Sequence, residues 1–203
     1  LLAFWQGDKP EKSEKKFTNP IFPSGADPWI VRMDGLYFYT STSGRNLYIR
    51  AGRNLDELAT SEMKVIWTPP AGTSYSKEIW APELHFLNDK WYMYFAADNG
   101  ENRNHRMYVI ENPSRNPLEG SWEFKGKVSD PSDKWAIDGS VFEYRKQLYM
   151  VWSGWEGDVN GQQNIYIAKL LNPWTIDGRR IMISSPEYKW ETIGDLNNPK
   201  DVP

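Results

Sequence analysis

The chain repeats itself, and this constrains its fold more than any other feature. Three segments follow one plan: an acidic residue, a short apolar stretch, a polar turn, then an aromatic-rich stretch. They are Asp27-Pro-Trp-Ile-Val-Arg-Met-Asp-Gly-Leu-Tyr-Phe-Tyr39, Glu83-Leu-His-Phe-Leu-Asn-Asp-Lys-Trp-Tyr-Met-Tyr94 and Asp138-Gly-Ser-Val-Phe-Glu-Tyr-Arg-Lys-Gln-Leu-Tyr-Met150. Their acidic positions are 56 and 55 residues apart. A Tyr between apolar residues keeps a similar beat in Leu47-Tyr48-Ile49, Met107-Tyr108-Val109 and Ile165-Tyr166-Ile167, at intervals of 60 and 58 residues. A fourth stretch in each unit carries Trp67, then Trp122 and Phe124, then Arg180 to Ile183. Gly, Pro, Asn or Asp interrupts the apolar pattern every few positions, which is the punctuation of strands and turns. No amphipathic stretch has convincing helical length.

Four strands per unit at this period describe a blade of a β-propeller, in which sheets stack radially and each covers a face that its neighbour cannot bury alone. A β-sandwich with a coincidental repeat is the competing architecture, but sandwich strands do not normally recur with four-strand periodicity. At about 57 residues per unit, 203 residues supply about three and a half blades, whereas closed rings take at least about four. One more period past Asp138 reaches Ile193, flanked by Glu191 and Asp195, and no strand pattern follows. Residues 1–16 form a charged leader, expected to be flexible. Residues 17–203 are expected to be the N-terminal portion of the propeller.

The charge balance removes one class of partner. Lys and Arg (24) nearly equal Asp and Glu (27), so the basic excess that neutralises nucleic-acid phosphates is absent. No run of about 20 apolar residues is available to span a membrane. The absence of Cys removes disulfides, Cys-ligated zinc and thiol nucleophiles together. Mean hydropathy is -0.69 despite 11 Trp, 11 Tyr and 8 Phe, a combination common in β-rich proteins that handle sugars.

If each blade's innermost strand lines the axis, the recurring acids gather at one end of a channel. Like charges held close raise the pKa of one member, so one carboxyl can donate a proton while an ionised neighbour accepts one. Glycosidic hydrolysis needs that division of labour. Trp29 and Trp80 lie within three residues of these acids and Trp155 just past a unit's second strand, where a ring could stack on a sugar's apolar face. The competing reading makes the carboxylates hydrogen-bonded ties between blades. His85 and His105 have no acidic cluster at ligand spacing and are read as structural or surface residues, so no metal site is assigned.

The blocks Ser24-Gly-Ala-Asp-Pro-Trp29, Ile79-Trp-Ala-Pro-Glu83 and Trp135-Ala-Ile-Asp-Gly-Ser140 resemble the signature blocks of glycoside hydrolase family 43. The run Val151 to Ala168 with Asn172-Pro-Trp174 is more similar to that family's exo-acting α-L-arabinofuranosidases than to its xylosidases or endo-arabinanases. The resemblance implies an all-β five-bladed propeller and an inverting hydrolase that removes terminal α-L-arabinofuranose from arabinan or arabinoxylan side chains. In it Asp27 would be the general base and Asp138 the modulator of the acid's pKa, with Trp29, Trp80, Glu83 and Trp155 around the substrate and Glu83 as a tie near the pocket. The family's general acid is a Glu in a Glu-Gly-Pro block. No such block occurs here, so the acid is expected beyond Pro203, and the remainder of the propeller, as a following segment or a separate fragment, becomes a partner. The resemblance implies no cofactor for the chemistry and a structural Ca2+ in the channel whose ligands fall beyond Pro203. It also favours a secreted or periplasmic protein over a cytoplasmic one. A β-xylosidase or endo-arabinanase on the same scaffold, and a non-catalytic glycan-binding propeller, stay open as alternatives.

Overall fold

The computed structural model describes residues 18–159 and 162–191. The charged leader, Ile193 and Asp195 therefore lie outside the described residues. Three antiparallel sheets of four strands follow one another along the chain. The first holds β1 (Trp29–Met33), β2 (Leu36–Thr40), β3 (Leu47–Gly52) and β4 (Lys64–Trp67). The second holds β5 (Lys77–Leu87), β6 (Lys90–Asp98), β7 (Arg106–Asn112) and β8 (Glu123–Val128). The third holds β9 (Ala136–Tyr144), β10 (Gln147–Trp155), β11 (Gln163–Asn172) and β12 (Thr175–Ser184). Strand order within each sheet is sequence order, and β5 packs against both β1 and β9. The four-strand unit expected from the sequence is present three times. A half-unit following it would fall outside the described residues.

Each first hairpin closes through two residues with positive φ: Asp34 and Gly35, Asn88 and Asp89, Arg145 and Lys146. Two-residue loops of this kind match the right-handed twist of the strands they join. The repeat in the sequence is thus a repeat of hairpin registers, with Met33 paired to Leu36, Leu87 to Lys90 and Tyr144 to Gln147.

Side-chain alternation along β6 shows how the sheets hold together. Trp91, Met93, Phe95 and Ala97 enter a cluster shared with Phe38, Leu47 and Ile49 of the first sheet. Tyr92, Tyr94 and Ala96 enter a second cluster with Val141, Met150 and Trp152 of the third. One strand therefore feeds two cores, as a period of two requires. The polar tips of its aromatics are satisfied within the core: the Tyr94 hydroxyl donates to the Pro173 carbonyl at 2.7 Å and Trp91 Nε1 to the Arg115 carbonyl at 2.9 Å.

One helix, α1 (Leu55–Thr60), departs from the all-strand expectation. Six residues are too few to register as amphipathic periodicity, and its formation is local. The Asn54 side chain caps it by accepting the Glu57 N–H at 2.9 Å, and Leu58 seals a small cluster with Tyr39 and Tyr48. Gly52 permits that seal, because a Cβ there would sit 2.5 Å from the Leu58 nitrogen.

Candidate active site

Asp27, Pro28, Trp29, Ala81, Pro82, Glu83 and Asp138 line one cavity of about 200 Å³. The acids singled out by the sequence, from three separate sheets, therefore meet in one place. A larger hollow of about 470 Å³ lies beside Phe22, Tyr39, Leu55 and Leu58. It is apolar and lacks a carboxylate, so the chemistry belongs to the smaller cavity.

The backbone fixes the arrangement. Asp27, Ala81 and Asp138 each precede the first residue of their hairpin turn by seven positions. All three have positive φ, at 52°, 43° and 54°. Non-glycine residues seldom hold that conformation outside sites that need it. The structural equivalent of Asp27 and Asp138 in the second sheet is therefore Ala81, and Glu83 stands two residues further along the strand. Matching acid to acid in the sequence misses this offset. Glu83 still reaches the cavity. The register breaks between Lys77 and Trp80 and again between Trp80 and Glu83 form the irregular stretch that carries it there.

Electrostatics separates the three carboxylates. Asp138 is exposed as a residue, yet protein closes round its carboxyl. That desolvation, followed by the charges of Asp27 and Glu83, pushes it up to about 6. Glu83 is held by His85, whose Nε2 lies 2.9 Å from Glu83 Oε2. The His85 ring packs against Trp29 at 5.0 Å, and Trp29 Nε1 donates to the Leu84 carbonyl at 2.9 Å. His85 is thus a structural residue beneath the site. Asp27 Oδ2 accepts the Thr42 hydroxyl at 2.5 Å, a contact that no motif in the sequence marks.

The other two tryptophans are placed differently. One face of Trp80 stacks on His105 with centroids 4.0 Å apart. Trp155 is 2% exposed, lies 4.6 Å from Trp135 in a parallel stack, and borders a separate hollow with Glu156, Gly157, Val159, Gln162 and Asn164. Glu191 accepts the backbone N–H groups of Glu187 and Tyr188, both at 2.9 Å, so its carboxylate is occupied by its own loop.

Glu78, Asp98 and His105 are the grouping of metal-ligand composition among the described residues, with ligand atoms within 4.8 Å of one another. Glu78 is pushed up to about 7, first by its hydrogen bond to Asp98 and then by burial. His105 Nε2 faces the Glu78 carbonyl at 3.2 Å, its Nδ1 faces the Asn102 carbonyl at 3.2 Å and Asp98 Oδ2 at 3.1 Å, and burial pushes the imidazole pKa down. One histidine nitrogen with two carboxylates also falls short of the six to eight oxygens that calcium prefers. This cluster does not by itself supply a calcium site.

A family model described as glycosyl hydrolases family 43 matches residues 17–197. The chain is 37% identical, over 91% of its length, to an extracellular exo-α-(1→5)-L-arabinofuranosidase of Streptomyces avermitilis. It is 36% identical over 88% of its length to a protein of the same description from Streptomyces chartreusis. It spans only 39% and 56% of those relatives. The crystal structure of an α-L-arabinofuranosidase from Lactobacillus brevis superposes on 86% of the chain, and 57% of that protein, with a TM-score of 0.79 at 38% identity.

Proposed function

The chain belongs to glycosyl hydrolases family 43, and from that premise we propose that it is the N-terminal portion of a five-bladed propeller that hydrolyses terminal α-L-arabinofuranosyl groups with inversion. One observation carries the reading: Asp27 and Asp138 occupy equivalent strained positions in two sheets and face one cavity with Glu83. Asp27 takes a proton from water as the water attacks the anomeric carbon. A carboxylic acid on the opposite side gives its proton to the departing glycosidic oxygen, so protons balance over the step. Inversion requires acid and base roughly 6.5–9.5 Å apart to admit that water. Asp138, carrying negative charge near the acid, keeps the acid protonated at working pH. Trp29 forms a wall, and Trp80, partly buried and three residues before Glu83, is the second ring assigned to the sugar.

The acid itself belongs to a segment outside these 203 residues. Two observations support this: the chain contains no Glu-Gly-Pro block, and it covers only part of its relatives. That segment would also cover the apolar side chains exposed on the third sheet, among them Phe142, Ile181 and Ile183. Arabinose-containing polysaccharide or oligosaccharide is the substrate, and a secreted or periplasmic site of action suits a polymer. Among the described residues no helix is long and apolar enough to cross a membrane.

The test uses the full-length enzyme on linear arabinan and on an aryl α-L-arabinofuranoside. Single arabinose as first product supports exo action, whereas oligomers would assign the chain to an endo-acting relative. Asp27→Ala is expected to abolish hydrolysis with the fold intact, and retained turnover would remove Asp27 from the role of base.

A further inference from the structure

We propose that Thr42 is a positioning residue that aims the Asp27 carboxylate at the attacking water. The inference rests on the reading of Asp27 as the base and extends it to a side chain that never touches substrate.

The argument is one of proton accounting. Thr42 follows β2 and comes from the first sheet, as Asp27 does. Its hydroxyl oxygen accepts the backbone N–H of Ala81, in the second sheet, at 2.7 Å. An amide N–H can only donate, so this contact fixes the hydroxyl oxygen as acceptor and leaves its one proton for another partner. That partner is Asp27 Oδ2 at 2.5 Å, a length typical of a hydroxyl donating to a carboxylate. The hydroxyl proton is thus committed to one oxygen of Asp27, and the other oxygen remains to receive a proton from water.

The device is braced on both sides. Thr42 N–H donates to the Ala26 carbonyl at 3.0 Å, tying the residue to the segment just before Asp27. Gly44 N–H donates to the Ile79 carbonyl at 3.0 Å, stitching the same loop to the strand that carries Ala81. Ala81 holds φ of 43°, an unfavourable region for alanine, and this irregular backbone presents its N–H to Thr42. The second sheet carries no carboxylate at the position equivalent to Asp27. It contributes a backbone donor there instead, and Thr42 relays that donor to the base.

A merely structural threonine and a positioning one differ in how a loss divides between kcat and KM and in whether a hydroxyl alone restores it. In the full-length enzyme Thr42→Val is expected to lower kcat about 10- to 100-fold, the scale at which a misplaced group costs rate. KM should change little. Thr42→Ser keeps the hydroxyl and should restore the rate. Urea unfolding of each variant separates folding from chemistry, since Val leaves the Ala81 N–H without its acceptor. A Val variant with normal turnover would overturn the proposal. So would one whose loss merely tracks its unfolded fraction, or a Thr42→Ser variant as slow as Thr42→Val. Asp27→Asn, run alongside, separates the two levels. If it is inactive while Thr42→Val is normal, the positioning role alone falls; if it stays active, the base assignment falls and takes this inference with it.

Discussion

Asp27 and Asp138 stand at the same register of two sheets, with nearly the same φ of 52° and 54°, yet their surroundings diverge. Asp27 is exposed and receives a hydroxyl proton from Thr42. Asp138, also exposed as a residue, has a more desolvated carboxyl and lies in the field of Asp27 and Glu83, which together carry it to about 6. Its neighbour Gly139 permits the crowding, because a Cβ there would meet the Met150 and Met107 methyls at 2.3 and 2.8 Å. One backbone position repeated in two sheets therefore supports two kinds of carboxylate, and environment rather than residue type sorts them.

Removing Asp138 should break this pairing most severely. In the full-length enzyme Asp138→Asn is expected to reduce kcat by about 100-fold, within the range that acid–base groups supply. Its basic limb should move to lower pH, because the acid loses a neighbouring negative charge. Stability should respond in the opposite direction. A folded-state pKa near 6 against an ordinary 3.8 means that the folded chain holds the proton more tightly. This group's favourable contribution is complete below about pH 4 and is lost as pH rises through about 6. Asp138→Asn should therefore raise the melting temperature at pH 7 and leave it nearly unchanged at pH 4. Equal shifts at both pH values would show that Asp138 is not desolvated.

A third carboxylate at the shared register sharpens the comparison. Ala81→Asp places an acid at the second-sheet equivalent, where Asp tolerates positive φ better than Ala does. A further like charge beside the cavity should raise Asp138 by about another unit, read by carbon NMR titration of its carboxyl. No movement of Asp138 would mean that residue 81 does not face it.

Much of the fold was legible because hairpin turns and aromatic alternation leave marks in side-chain identity. Asp34-Gly35 and Asn88-Asp89 announce their turns, and the Trp-Tyr-Met-Tyr-Phe run of β6 declares a strand buried on both faces. The meeting of Asp27 and Asp138 at one cavity was legible because both keep the same spacing from those turns. Glu83 was aligned two residues off because the feature that defines the register, a left-handed backbone at Ala81, has no side-chain signature. Thr42 was invisible because its partner contributes only an N–H, which nearly every residue carries. Trp155 shows the converse: proximity in sequence to a motif does not reveal that a ring will stack on Trp135.

The smallest expected effect concerns Glu83, whose charge is the last of the three influences on Asp138, after burial and Asp27. Glu83→Gln removes that charge while keeping a side-chain oxygen for the His85 contact. Asp138 should fall by a fraction of a unit and remain well above 3.8, because desolvation, the largest cause, is untouched. The same titration in Asp27→Asn should give a larger drop. If Glu83→Gln moves Asp138 more than Asp27→Asn does, the field at Asp138 is set by the neighbouring strand of the second sheet rather than by its counterpart in the first, and the pairing of Asp27 with Asp138 loses its electrostatic basis.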